Sequence, residues 1–100
     1  MHLFTHIVFF RLKAEADKIQ VKDWLLQLQG KIPELLDIEV GIDQIRSPRS
    51  YDVALVTRFQ SQADMGTYQI HPAHQEVLKR LQTVVESSAS VDYDNSIPMP

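Results

Sequence analysis

The stretch Leu3-Phe4-Thr5-His6-Ile7-Val8-Phe9-Phe10-Arg11-Leu12 decides the architecture. Its residues are almost all β-branched, aromatic or aliphatic, a composition that suits a pleated strand. Successive side chains of a strand point to opposite faces. Phe4, His6, Val8, Phe10 and Leu12 therefore share one side, and Leu3, Thr5, Ile7 and Phe9 share the other. Neither side carries the polar row of a half-solvated antiparallel strand. One side is expected to meet the chain's own core, and the other must be covered by something else.

Working outward, Ala14 to Gly30 places Ile19, Val21, Trp24, Leu25 and Leu28 at helical spacing, a stripe continued by Ile32 before Pro33 interrupts it. Leu35 to Ile45 then reads as a second strand, with Ile38, Val40 and Ile42 at period two and Gly41 suggesting a bulge or a close backbone approach. The polar connection Arg46-Ser47-Pro48-Arg49-Ser50 leads into a third strand, Tyr51 to Phe59, in hairpin with the second. Val53, Leu55, Thr57 and Phe59 fall on one side of it, Ala54 and Val56 on the other.

Ser61 is placed to cap a short helix over Ala63 to Tyr68, which stops where His71 meets Pro72. Pro72 suits the first turn of a new helix. That helix is expected to run to about Glu86, with His74, Val77, Leu78, Leu81, Val84 and Val85 on its buried face. Ser87 to Asp94 reads as a last strand, and Ile97 to Pro100 as a tail.

The order strand, helix, strand, strand, helix, strand predicts an α+β fold of the ferredoxin-like, split βαβ kind: a four-stranded antiparallel sheet with its helices on one face. The uncovered face would expose Leu3, Ile7, Phe9, Ala54 and Val56, an apolar patch that soluble monomers seldom tolerate. A homodimer joined sheet to sheet would bury it by an isologous contact.

The 100 residues suit one domain over 1–100. With 44% hydrophobic and 23% charged residues the balance is that of a globular chain. A formal charge of −3, with no basic cluster, argues against a nucleic-acid partner. Cysteine is absent, so disulfides, thiolate catalysis and thiolate metal sites are excluded. The apolar run Ile7 to Phe10 is far too short for a membrane span and lacks the flanks of an export signal, which leads us to expect a cytoplasmic protein.

Several segments together are similar to the stress-responsive A/B barrel (Dabb) domain family. They are Thr5-His6-Ile7-Val8-Phe9-Phe10-Arg11-Leu12, Ile32-Pro33-Glu34-Leu35, Glu39-Val40-Gly41, Ser50-Tyr51-Asp52-Val53-Ala54-Leu55, Tyr68-Gln69-Ile70-His71-Pro72-Ala73-His74 and Val91-Asp92-Tyr93-Asp94. The most specific is Tyr-x-x-His-Pro-x-His. The resemblance covers essentially the whole chain and implies a dimeric α+β barrel with a cavity between sheet and helices in each subunit. Polyketide cyclases of the olivetolic acid type resemble the chain over the same segments. Their catalytic histidine and tyrosine fall on His74 and Tyr68, and a further pocket histidine falls on His6. Around the first helix this chain is shorter than those cyclases, so substrate identity does not carry over. Family members without an established reaction are known as stress-response proteins, so the resemblance leaves open whether this chain is an enzyme.

The residues themselves permit two readings. A neutral His74 can take a proton from the acidic carbon between two carbonyls, with Tyr68 donating to the developing enolate, in cofactor-free acid–base chemistry of a cyclase or lyase kind. His6, Phe4, Val8, Phe10, Leu55, Thr57 and Leu78 would line the pocket for a small, largely apolar molecule. The competing reading is a non-catalytic stress-response or interaction protein whose pocket is filled by Phe4, Phe10, Leu55 and Leu78, with His74 and His6 as satisfied core histidines and Tyr68 half-buried with a wet hydroxyl.

His71, before Pro72, suits turn shaping. His71 and His74 have no Asp or Glu between them to complete a metal site, and none is expected. No phosphate loop, Ser-His-Asp signature or flavin fingerprint is present, so no cofactor is expected. Arg46 and Arg49 could meet an anionic ligand, although charge in a hairpin loop is ordinarily just solvated.

Overall fold

A computed structural model describes residues 3–95 of the chain. Strand β1 (Phe4–Leu12) leads through a 3-10 turn (Glu15–Asp17) into helix α1 (Lys18–Leu26). Strands β2 (Asp37–Ile42) and β3 (Val53–Phe59) form the hairpin, followed by helices α2 (Gln62–Ile70) and α3 (Pro72–Leu81) and strand β4 (Val85–Asp94). The sheet order is β2-β3-β1-β4 with every neighbour antiparallel, the split βαβ arrangement. The expected tail, Ile97 to Pro100, lies outside the described residues.

β1 sits inside the sheet, bonded to β3 on one edge and β4 on the other. Its register pairs Phe4 with Phe59, His6 with Thr57, Val8 with Leu55 and Phe10 with Val53. Directly paired residues share a face, so these side chains form the floor on which the helices pack. Val21, Leu25, Leu28 and Ile32 press onto that floor from α1 and the turns after it, and Val77 and Leu81 from α3. The opposite face stays open. Phe9 is 43% exposed, Val91 59% and Tyr93 42%, all on the row that also holds Ile7, Ala54 and Val56.

Several element ends differ from the sequence reading. α3 stops at Leu81, not near Glu86. Three-residue backbone bonds from Thr83 to Arg80 and from Val84 to Leu81 tighten its end, and Lys13 N–H donates to the Val84 carbonyl at 2.8 Å. Val85 then pairs with Leu12 as the start of β4. Two consecutive β-branched residues gain more from a ladder than from another helical turn. α1 is likewise shorter, closing through turns to Gly30, whose φ of 79° is the left-handed conformation glycine adopts without strain. Ile19, expected in the stripe, is exposed, and Trp24 is only part-buried against the core.

Gly41 makes no bulge: it pairs in register with Ala54. The irregularity lies instead between β1 and β4, where Arg11 pairs with Ser87 and Leu12 with Val85, leaving Glu86 as the extra residue. There the Leu12 N–H is taken by the Asp52 carboxylate at 2.7 Å, and Asp52 N–H donates to the Phe10 carbonyl at 2.8 Å. β3 opens at Val53 rather than Tyr51, and Ile45 lies outside β2. The Ser61 cap forms as expected, its hydroxyl accepting from Asp64 N–H at 3.1 Å, and α2 extends beyond the predicted span to Ile70.

Candidate functional site

Between the sheet floor and the helices lies a cavity of about 370 Å³. His6, Val8 and Phe10 from β1, Leu55 from β3 and Leu78 from α3 line it, together with Tyr68 and His74. Phe4 and Thr57, expected there as well, are buried elsewhere. Phe4 sits beyond His6 at the start of β1, and the Thr57 hydroxyl donates back to the His6 carbonyl at 3.3 Å. The sequence reading missed Leu25 of α1, Leu28 in the turn after it, Gln69 of α2, Val77 and Leu81 of α3, and Ser88 and Ser90 of β4. Leu25, Leu28, Val77 and Leu81 had been legible as members of apolar stripes, whereas Gln69 carried no signal. The serines carry no signal until β4 is known to pair with β1.

The break between α2 and α3 sets the state of His74. Were the helix continuous, Ala73 N–H would bond the Gln69 carbonyl four residues back. His71 is extended instead, with ψ of 139°, and Pro72 has no N–H to give. Ala73 N–H turns to His71 Nδ1 at 3.0 Å, so His71 caps the helix. The released Gln69 carbonyl accepts from His74 Nδ1 at 2.9 Å and from the Gln75 side-chain amide at 2.8 Å. Because a carbonyl only accepts, His74 carries its proton on Nδ1, and Nε2 keeps its lone pair.

Burial lowers the His74 pKa below its ordinary 6.5, the Gln69 bond works the other way, and charge on His6 pushes it down further. His74 is thus a neutral base near pH 7. Its ring centroid lies 4.5 Å from that of Tyr68, which in turn meets the Phe59 ring at 5.0 Å with the planes tilted by 54°. Tyr68 is fully buried rather than half-wet, and its hydroxyl has no hydrogen-bond partner among the described residues. Burial raises its pKa far above the ordinary range, so the hydroxyl remains a protonated donor. His6 meets Asp92 of β4, its directly paired neighbour, through Nδ1. No group of three or more histidine and carboxylate side chains suited to a metal occurs among the described residues.

Residues 4–95 match the sequence profile of the stress responsive A/B barrel domain. The chain belongs to that family. Over 80 residues it is 28% identical to a stress-response A/B barrel domain-containing protein of Arabidopsis thaliana, a stretch that takes in 77% of this chain but 30% of that relative. This Dabb chain therefore spans less than a third of that relative's length. A dimeric protein of unknown function and ferredoxin-like fold from Bacteroides fragilis is 31% identical, covering 91% of this chain and 94% of that one with a TM-score of 0.77. The hydroxynitrile lyase of Passiflora edulis superposes with a TM-score of 0.83 over 98% of this chain and 97% of that one; at 23% identity the likeness is one of fold. Among the described residues of this Dabb protein, no helix is long and apolar enough to cross a membrane.

Two outcomes follow from this geometry. Tyr68→Phe removes a buried hydroxyl that makes no bond, so urea denaturation is expected to show a gain of about 1 kcal/mol, where loss of a bonded hydroxyl would show a cost. His74 titrates lower in the folded than in the unfolded chain. Its contribution to stability is therefore complete above pH 6.5, falls as pH drops below that value while only the unfolded chain takes the proton, and levels off below the folded pKa. Comparing stability against pH for the native chain and His74→Gln should show a steeper acid-side decline in the native chain.

Proposed function

We propose that the protein works as a two-fold dimer whose subunits each bind a small, largely apolar molecule between sheet and helices and act on it by cofactor-free proton transfer. The observation that carries this reading is the meeting, in one largely apolar cavity, of a neutral His74 with an unprotonated Nε2 and a Tyr68 hydroxyl that has no partner among the described residues. Buried polar groups ordinarily find partners within the fold, and those that do not are candidates for partners that arrive with a ligand. Phe10, Leu55 and Leu78 line the space rather than close it, which favours ligand binding over a filled scaffold.

In this scheme His74 Nε2 takes a proton from a carbon flanked by two carbonyls. The C–H electron pair moves into the enolate, and Tyr68 donates a hydrogen bond to the oxygen where charge gathers. The enolate carbon then bonds to a carbonyl carbon, whose π pair moves to its oxygen, and that alkoxide takes the proton back from the imidazolium; alternatively the enolate itself regains the proton, and the addition run in reverse is a lyase step. That a lyase is built on the same fold is in keeping with such chemistry, and its substrate is not transferred to this chain. The dimer rests on the open apolar face of Phe9, Val91 and Tyr93 and on the dimeric state described for the Bacteroides relative.

The test uses 2,4-nonanedione as probe and follows deuterium incorporation at its central carbon by NMR. We expect saturable exchange with the native chain and a loss of about a hundredfold with His74→Gln. Exchange no faster than with free imidazole would overturn the catalytic reading. For the dimer, Ile7→Glu places an unpaired charge in the proposed interface. Sedimentation equilibrium should show dissociation or unfolding, and an intact folded dimer would exclude this face as the contact.

A further inference from the structure

We infer that Asp92 sets the charge of what the cavity accepts: uncharged carbonyl compounds with an apolar tail bind, and carboxylates of the same shape are refused. The inference rests on the cavity being a ligand site, as proposed above, and concerns which ligands that site admits.

The cavity is polarised along β1. At one end stand His6, Tyr68, Gln69 and His74; toward the other lie Phe10 and also Leu81, which closes α3 just before the chain pairs with Leu12. From His6 to Phe10 the strand advances four residues, about 13 Å, the reach of an eight- or nine-carbon chain. Ser88 and Ser90 pair with Phe10 and Val8 along the β4 side, and Asp92 continues that row opposite His6. A ligand seated lengthwise would hold its polar end against the histidines and Tyr68.

The charge inventory at that end decides what the polar end can be. Among the described residues, no lysine or arginine lines the cavity. Arg46 is paired with Glu15 in the loop beyond β1, and Arg49 borders a hollow with Phe9 and Tyr51 on the opposite face of the sheet. His74 donates Nδ1–H to a neutral carbonyl and is held unprotonated. His6 is the remaining described lining group able to carry a positive charge, and its Nδ1 is already engaged by the Asp92 carboxylate. The His6 side chain is 12% exposed and that of Asp92 36%, so the imidazole faces the cavity while the carboxylate behind it, outside the lining, stays partly in water. An incoming carboxylate would give up its water beside a carboxylate and find no unmatched cation, which is costly. A ketone or aldehyde oxygen needs only donors, and the Tyr68 hydroxyl supplies one.

The test measures binding of 2-nonanone and octanoate, which share one chain and differ by a methyl group in place of an oxygen anion. Both are titrated calorimetrically at neutral pH into the native chain, Asp92→Asn, and Asp92→Asn combined with His6→Gln. The native chain should prefer the ketone by about a hundredfold. Asp92→Asn, which frees His6 to pair with an anion, should cut that preference at least tenfold by strengthening octanoate binding, and the added His6→Gln should abolish the gain. Each preference is a ratio within one variant, so a partly unfolded sample does not mimic the effect. Octanoate binding the native chain as tightly as 2-nonanone, or a ratio unmoved by Asp92→Asn, would overturn the inference while leaving the cavity a ligand site. Failure of either probe to bind any of the three proteins would instead remove the ligand site itself, and the charge filter with it.

Discussion

Everything in this fold hangs on a strand that is bonded along both edges and apolar on both faces. Because β1 lies between β3 and β4, its side-chain alternation is imposed on the whole sheet. The row Phe4, His6, Val8, Phe10 and Leu12 becomes the floor of the core, and every helix must present its apolar side to that floor. The row Thr5, Ile7 and Phe9 becomes the centre of a second apolar surface. A slip of one residue would exchange the two rows, bury Arg11 under the helices and turn His6 out of the cavity. Burial of so many floor residues makes such a slip prohibitively costly.

His6 is the one titratable residue of that floor, and β1 places it opposite both a hydroxyl and a carboxylate. Thr57 stands across one edge and Asp92 across the other. The far wall reaches the same end of the cavity by a different device. The interruption at His71-Pro72 frees the Gln69 carbonyl, and that carbonyl orients His74. A backbone defect thus does the work that a carboxylate partner performs for His6. Tyr68, one residue before the freed carbonyl, is enclosed between Phe59 and His74 with its hydroxyl unbonded. A buried hydroxyl in that state costs on the order of 1–3 kcal/mol, a sizeable share of a small domain's net stability. Departures of this kind concentrate at sites that serve something other than stability.

Most of the architecture was legible because it is written in local periodicity. The two-faced pattern of Leu3 to Leu12, the stripe of Val21, Leu25 and Leu28, the alternation of Val53 to Phe59, the Ser61 cap and the proline after His71 each carry their own physical instruction. The element ends were less legible, since they depend on competition between neighbours. Val84 and Val85 fit a helical stripe as well as a strand, and only the pairing of Val85 with Leu12 resolves the choice. The predicted bulge at Gly41 failed for a similar reason, as a glycine needs no bulge to pair in register with Ala54.

The sequence by itself determined the strand and helix order, the two apolar faces of β1, the shared side of Val8 and Phe10, and the candidacy of His6, Tyr68 and His74. Tertiary structure alone decided that Asp92 is the partner of His6, that Gln69 holds the tautomer of His74, that the Tyr68 hydroxyl is sealed without a bond, and that Phe4 and Thr57 lie off the cavity. The physical reason is one of range. Side-chain period and capping act within a few residues, whereas His6 and Asp92 meet across 86 positions, through a strand pairing that exists only once the sheet has formed.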